Sequence, residues 1–174
     1  MAWAWRPTVG AGLARTLGRI NVIPPYLELH FEPDSDGTGE LFACVHRNDY
    51  SGAGSAWFHL HEIETFGQLL ASTYPIQHNT EISLRGGYWK SGAGPPELQD
   101  VLLSLRVYPI NSTGTIAILV EVMDGTFEGQ RQEKRARLSL ELLTNYESIR
   151  AFGESMAQLT HLRGATARLN ANAA

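Results

Sequence analysis

With Cys44 as its only cysteine, the chain cannot close a disulfide within itself. At 174 residues it does not need one, because a chain of this length buries roughly 70% of its unfolded surface in a single core. The neighbours Leu41, Phe42, Ala43 and Val45 place Cys44 in a strand. A buried free thiol there suits a reducing cytoplasm, the expected location. Also missing is any run of about 20 apolar residues, so a soluble protein is expected. Residues 1–25 contain no acid; they carry Arg6, Arg15 and Arg19 but no long apolar stretch ending at a small-residue cleavage site. They read as a poorly ordered N-terminal extension rather than a secretory signal.

Several chemical signatures are lacking as well. The glycine-rich pieces GGYWKSGAG and YSGAGSAW contain no Gly-Lys-Ser/Thr, and Trp89 stands before Lys90, which excludes a phosphate-binding loop of Walker type. No G-x-S-x-G elbow is present, and Cys44 in mid-strand lacks the exposed electropositive setting of a nucleophile. The stretch from Asp34 to Glu40 lacks the twelve-residue spacing of a calcium loop and reads as a turn. Asn111-Ser112-Thr113 reads as part of a hairpin turn. Nor is there a basic excess: the net charge is −4, and acids intersperse the run Arg131, Lys134, Arg135, Arg137, so a solvated strand edge fits better than nucleic-acid binding.

What is present is alternation. In YLELHFEP, Leu27, Leu29 and Phe31 alternate with Glu28, His30 and Glu32, the mark of a strand with one buried and one wet face. ELFACVHR continues as the second strand of a hairpin, RNDYSGAG reads as a turn, and a third strand is expected over 55–60. Ile63, Phe66, Leu69 and Leu70 then change to helical spacing. Further strands follow at EISLRGGYW, LQDVLLSLRVYPI, GTIAILVEVM and RARLSLELL, and Thr144-Asn145-Tyr146-Glu147 matches a capping box opening a second helix. An offset of 83, setting His61 over Thr144, makes the strand-to-helix unit look repeated. The expected fold is α+β: an antiparallel sheet of about seven strands with two amphipathic helices on one face, in a single domain over 26–164, with 165–174 as a tail.

Two groups of residues are candidates for a site. Between Glu28 and Glu64 stand eight acids against the single base Arg47, a net of −7 that leaves the rest of the chain at about +3. Glu28, Glu32, Asp34, Asp36 and Glu40, together with the aromatics Tyr50 and Trp57, form a candidate surface for a basic protein partner. Such a surface repels nucleic acid and membrane. The alternative reading is a metal-binding module or metal-dependent enzyme: His59 and His61 are alternate residues, and His30 or His46 would complete a ligand shell.

The segments LELHFEPDSDGTGELFACV, GSAWFHLHEIETFGQLL and LSLELLTNYESIRAFGESM follow the order hairpin, strand, helix, then meander, strand, helix. Over roughly residues 26–163 this order resembles the immunity-type proteins found beside bacterial polymorphic toxins, including the WapI-like group. The resemblance implies a bacterial, non-enzymatic, cofactor-free protein that binds and neutralises a cognate toxin. No binding residue carries over from it.

Overall fold

Period-two alternation runs through the strands and divides each into an inward and an outward row. The computed structural model describes residues 23–90, 97–125 and 131–172. In β1 (Tyr26–Pro33), Leu27, Leu29 and Phe31 are buried while their neighbours are partly exposed. The same division holds in β2 (Thr38–Arg47), where Leu41, Ala43 and Val45 point inward. β3 (Tyr50–His59) leads directly into α1 (Leu60–Ser72), and β4 (Ile82–Trp89) follows. Then come β5 (Leu98–Pro109), β6 (Thr115–Met123), β7 (Arg137–Asn145), α2 (Tyr146–Ala157) and β8 (Thr166–Asn170).

This order contains one plan twice: three antiparallel strands, a helix and a last strand, as β1–β2–β3–α1–β4 and again as β5–β6–β7–α2–β8. Each last strand leaves its own copy and pairs antiparallel with the first strand of the other, β4 with β5 and β8 with β1. Two four-stranded sheets result, sheet A in the order β3-β2-β1-β8 and sheet B in the order β4-β5-β6-β7. The α+β class and the antiparallel pairing hold. The single sheet of about seven strands does not, because both sets of inward rows meet in one core that a single layer could not enclose. Nor is 165–174 a tail: β8 buries Ala167 and Leu169, so the domain continues to at least Asn170. The extension expected over 1–25 lies, up to residue 22, outside the described residues.

The two copies align at an offset of 86 rather than 83. Ile63, Phe66, Gly67 and Leu70 of α1 then match Ile149, Phe152, Gly153 and Met156 of α2, all buried. The helix starts explain the three-residue difference. The cap of α1 is His59, whose backbone N–H donates to Glu62 Oε2 at 2.7 Å, and the cap of α2 is Asn145, whose Oδ1 accepts from the Ser148 N–H at 2.9 Å. Thr144 is instead an inward strand residue, and its hydroxyl has no hydrogen-bond partner among the described residues.

Glycine sets two close approaches. A Cβ on Gly67 would come within 2.7 Å of the Gly153 carbonyl oxygen, and one on Gly153 within 2.6 Å of the Gly67 carbonyl oxygen. The helices therefore touch backbone to backbone, each presenting the same residue to the other, as in a two-fold contact. The second approach is β3 over sheet B. Gly52 lies against Leu138 of β7, Gly54 against Val122 of β6, and Phe58 against Gly86 of β4. Gly86, Leu103, Val122 and Leu138 form one transverse row of sheet B, so β3 runs across its strands and the sheets pack at a large angle. This is why YSGAG is strand and not turn: glycines at 52 and 54 let the backbone cross at short range, and the turn itself is only Asn48-Asp49, with Asn48 at φ 55°.

Alanine is the better helix former by about 1 kcal/mol, yet in Gly153→Ala its methyl meets backbone that no rotamer change can move. The substitution is expected to destabilise by about 2 kcal/mol and to lower the urea midpoint at unchanged slope. A midpoint at or above that of the parent chain would mean that the helices have room to part.

Candidate functional site

The outward row of each strand in sheet A builds an open face, and the register fixes its grid. Trp57, Glu40 and Glu32 lie side by side across β3, β2 and β1. The next row is Ser55, Phe42, His30 and Thr166, and the third Ala53, Cys44, Glu28 and Arg168. Ser51, His46, Tyr26 and Asn170 complete it. Trp57 is 53% exposed and Phe42 36%. The rings His30 and Phe42 stack at 6.3 Å between centroids, Tyr26 and His46 at 5.7 Å. This face thus presents aromatic groups among carboxylates.

The carboxylates are held rather than loose. Arg168 Nη1 donates to Glu28 Oε2 at 3.0 Å, and the same guanidinium lies over the Tyr26 ring at 4.0 Å. Ser55 donates to Glu40 at 2.6 Å, and His30 Nε2 is 3.5 Å from Glu32. In the adjoining turn the Thr38 hydroxyl and backbone N–H donate to Asp36 Oδ1 at 2.6 and 2.9 Å, which holds the Asp36 carboxyl below its ordinary range. Asp34 accepts from the Ser35 N–H in the same turn. Five carboxylates (Glu28, Glu32, Asp34, Asp36, Glu40) face the single guanidinium of Arg168 here, net −4.

Of the seven residues expected at a protein-binding surface, Glu28, Glu32, Glu40 and Trp57 share this face, and Asp34 and Asp36 border it. Tyr50 does not share it. It is 66% exposed but lies in the inward row of β3, at the hairpin end opposite Trp57. Cys44, expected to be buried, is half-buried in the outward row, with Sγ 3.9 Å from the Tyr26 hydroxyl. That hydrogen bond, foremost, raises the Tyr26 phenol above its ordinary value.

The histidines do not assemble. His59 and His61 stack at 5.4 Å, one capping α1 and the other in its first turn. His46 lies eight residues along β2 from Thr38, the partner of His59, about 27 Å away at strand rise. His30 is occupied with Phe42, and its Nδ1 lies 3.1 Å from the Ala165 carbonyl. Among the described residues no group of three His, Cys, Asp or Glu side chains could hold a metal ion.

Sequence reasoning missed three contributors. Arg168 was hidden because its place on the face depends on β8 joining β1, a long-range pairing with no local signal, whereas Tyr26 shares the parity of Glu28 in β1 and was passed over because the search followed charge. Trp89 ends β4 in the other sheet, yet lines a cleft of about 470 Å³ with Trp57, Phe58, His59, Glu62 and Thr38. The local sequence carried no signal for it, because only the packing of β4 against β3 brings Trp89 to that cleft.

The outward face of sheet B differs in kind. Arg106 lies 3.6 Å from Glu81 and 3.8 Å from Glu121, and Arg85 lies 3.4 Å from Glu81, so opposite charges alternate across it. The expected solvated edge is β7, where Arg137 is exposed, but Arg135 beside it is mostly covered and makes paired bonds to Asp100 at 3.1 and 3.2 Å. Among the described residues no helix is long and apolar enough to cross a membrane. The chain matches no family model, no curated protein and no solved structure. A functional reading therefore rests on the geometry and on the resemblance carried by the sequence.

Tyr108 on that face donates to Glu141 Oε2 at 2.6 Å; burial first, and then this bond, push its phenol up to about 12. The unfolded chain ionises this group near 10, so the stabilisation is complete below that pH and is lost as pH rises toward 12. Ultraviolet titration of tyrosinate is expected to show a component ionising near 12 that Tyr108→Phe removes, and the variant's stability should fall less steeply above pH 10. Titration of every tyrosine near 10 would contradict this.

Proposed function

We propose that the chain is a non-enzymatic binding protein whose open sheet A face docks a basic protein domain. In keeping with the immunity-type resemblance, that partner is a bacterial toxin domain and the setting the cytoplasm. The observation that supports the reading is the arrangement on one regular surface of Trp57, Phe42 and Tyr26 among Glu28, Glu32 and Glu40, with Asp34 and Asp36 at the border. Exposed rings supply area that is favourable to desolvate, and interfaces concentrate energy on such anchors. The carboxylates act at longer range, steering a basic partner and disfavouring nucleic acid. Trp57 is the anchor and Glu32 the chief steering group, because Glu28 is already paired with Arg168.

The test is association kinetics with any basic protein co-encoded with the chain. Glu28→Lys with Glu32→Lys is expected to slow association by about tenfold at low salt with little change in dissociation, and Trp57→Ala to speed dissociation. Association indifferent to both charge reversal and added salt would overturn the electrostatic part of the proposal.

A further inference from the structure

The cleft of about 470 Å³ at the meeting of the two sheets is lined by Trp57 from β3 and Trp89 from β4, with Phe58 in its wall, His59 and Glu62 at the start of α1, and Thr38 at the start of β2. Both indoles are about half exposed, 53% and 51%. The fold contains its own control for this corner. At the offset of 86, Trp57, Phe58, His59 and Glu62 correspond to Leu143, Thr144, Asn145 and Ser148, so at these four positions the second copy builds the same strand-to-helix junction without an indole or a carboxylate, its first-turn acid Glu147 standing where the first copy has His61. Trp89 closes the eight-residue β4, whereas β8, the corresponding strand, ends after five residues at Asn170, so no position of β8 matches Trp89. The indole of Trp57 is therefore an addition to what folding requires at this corner, while Glu62 serves both the cap of α1 and the charge of the cleft.

The chemistry of the addition is specific. Indole faces carry the negative part of the ring quadrupole and attract cations, most strongly when the site is partly desolvated. Glu62 receives one hydrogen bond, from the His59 N–H, and among the described residues no Lys or Arg pairs with it. Among the described residues no Lys or Arg lines the cleft; Lys90, next to Trp89, reaches Glu97 at 3.5 Å. Asp36, which bonds Thr38, and Glu40, opposite Trp57, extend the negative field to the rim. We propose that the cleft between Trp57 and Trp89 receives a guanidinium side chain, an arginine of the partner, stacked on indole and paired with Glu62. A planar cation with donors in a fixed fork stacks on indole and pairs bidentately with the carboxylate, whereas an ammonium is attracted to both only as a hydrated point charge. The inference builds on the protein-binding reading and names one side chain that the partner inserts.

The test uses the full chain and a capped Gly-Arg-Gly peptide, with the citrulline peptide, equal in shape but uncharged, as control. The indole N–H resonances of Trp57 and Trp89 are expected to shift saturably with the arginine peptide, and the citrulline peptide to bind roughly three- to tenfold more weakly. Trp57→Leu, which installs the residue the second copy uses, should abolish the shift of Trp89. Glu62→Gln, which still caps α1, should weaken binding severalfold. Equal binding of both peptides, absence of any shift, or full binding by Trp57→Leu would overturn the proposal. The sheet-face reading is decided separately, by the salt dependence of partner association and its response to Glu28→Lys with Glu32→Lys, whereas the arginine and citrulline peptides compared on the parent chain decide this one, so the two failures are distinguishable.

Discussion

Two backbones in contact, at Gly67 of α1 and Gly153 of α2, set the spacing on which the remainder of the molecule depends. Because neither position has a side chain, the helices approach until carbonyl oxygens and Cα atoms touch, and their larger apolar residues are turned toward the sheets. Ile63, Phe66 and Leu70 on one side, and Ile149, Phe152 and Met156 on the other, fill the core. Each helix thereby touches both sheets, α1 lying against β3 and β4, and α2 against β6, β7 and β8. Such packing closes two open sheets around one interior without a barrel.

The strand exchange follows from the same arrangement and has an electrostatic consequence. A chain that ended each copy on its own sheet would leave β1 and β5 as edges with unpaired backbone groups. Sending β4 to β5 and β8 to β1 covers both, and it carries Arg168 into a field of carboxylates that local sequence makes look uniformly acidic. The face that results has a defined polarity, neutralised beside Tyr26 and negative toward Glu32, Glu40 and the Asp34–Asp36 turn. Opposite charges on sheet B cancel at short range, which leaves sheet A as the asymmetric side.

Local pattern made much of the fold legible. Strands β1, β2, β5, β6 and β7 are visible because each buries one face over eight or more residues, and both helices because their apolar residues recur three and four apart. Legibility failed wherever a distant surface decided the local structure. Gly52 and Gly54 look like turn residues until β3 is seen crossing sheet B. TARLN has too few alternations to declare itself and is a strand because β1 offers it backbone partners. Glu28, Glu32, Glu40 and Trp57 were found by the clustering of acids and aromatics along the chain and prove to share a face because their parity agrees, whereas Tyr50 was misplaced because parity puts it in the inward row.

Charge, alternation and helical spacing, all properties of neighbours along the chain, were enough by themselves to determine the α+β class, the buried and wet rows of the strands, and the acidic bias of the first half. Tertiary structure alone decided that the strands divide into two sheets, that β8 belongs to sheet A, that the histidines stay apart, and that Trp89 joins Trp57 across a cleft. The physical reason is range. Side-chain parity is dictated within two residues and helical phase within four, whereas strand exchange, glycine-mediated crossing and the meeting of two indoles depend on groups tens of residues apart whose proximity exists only once the core has closed.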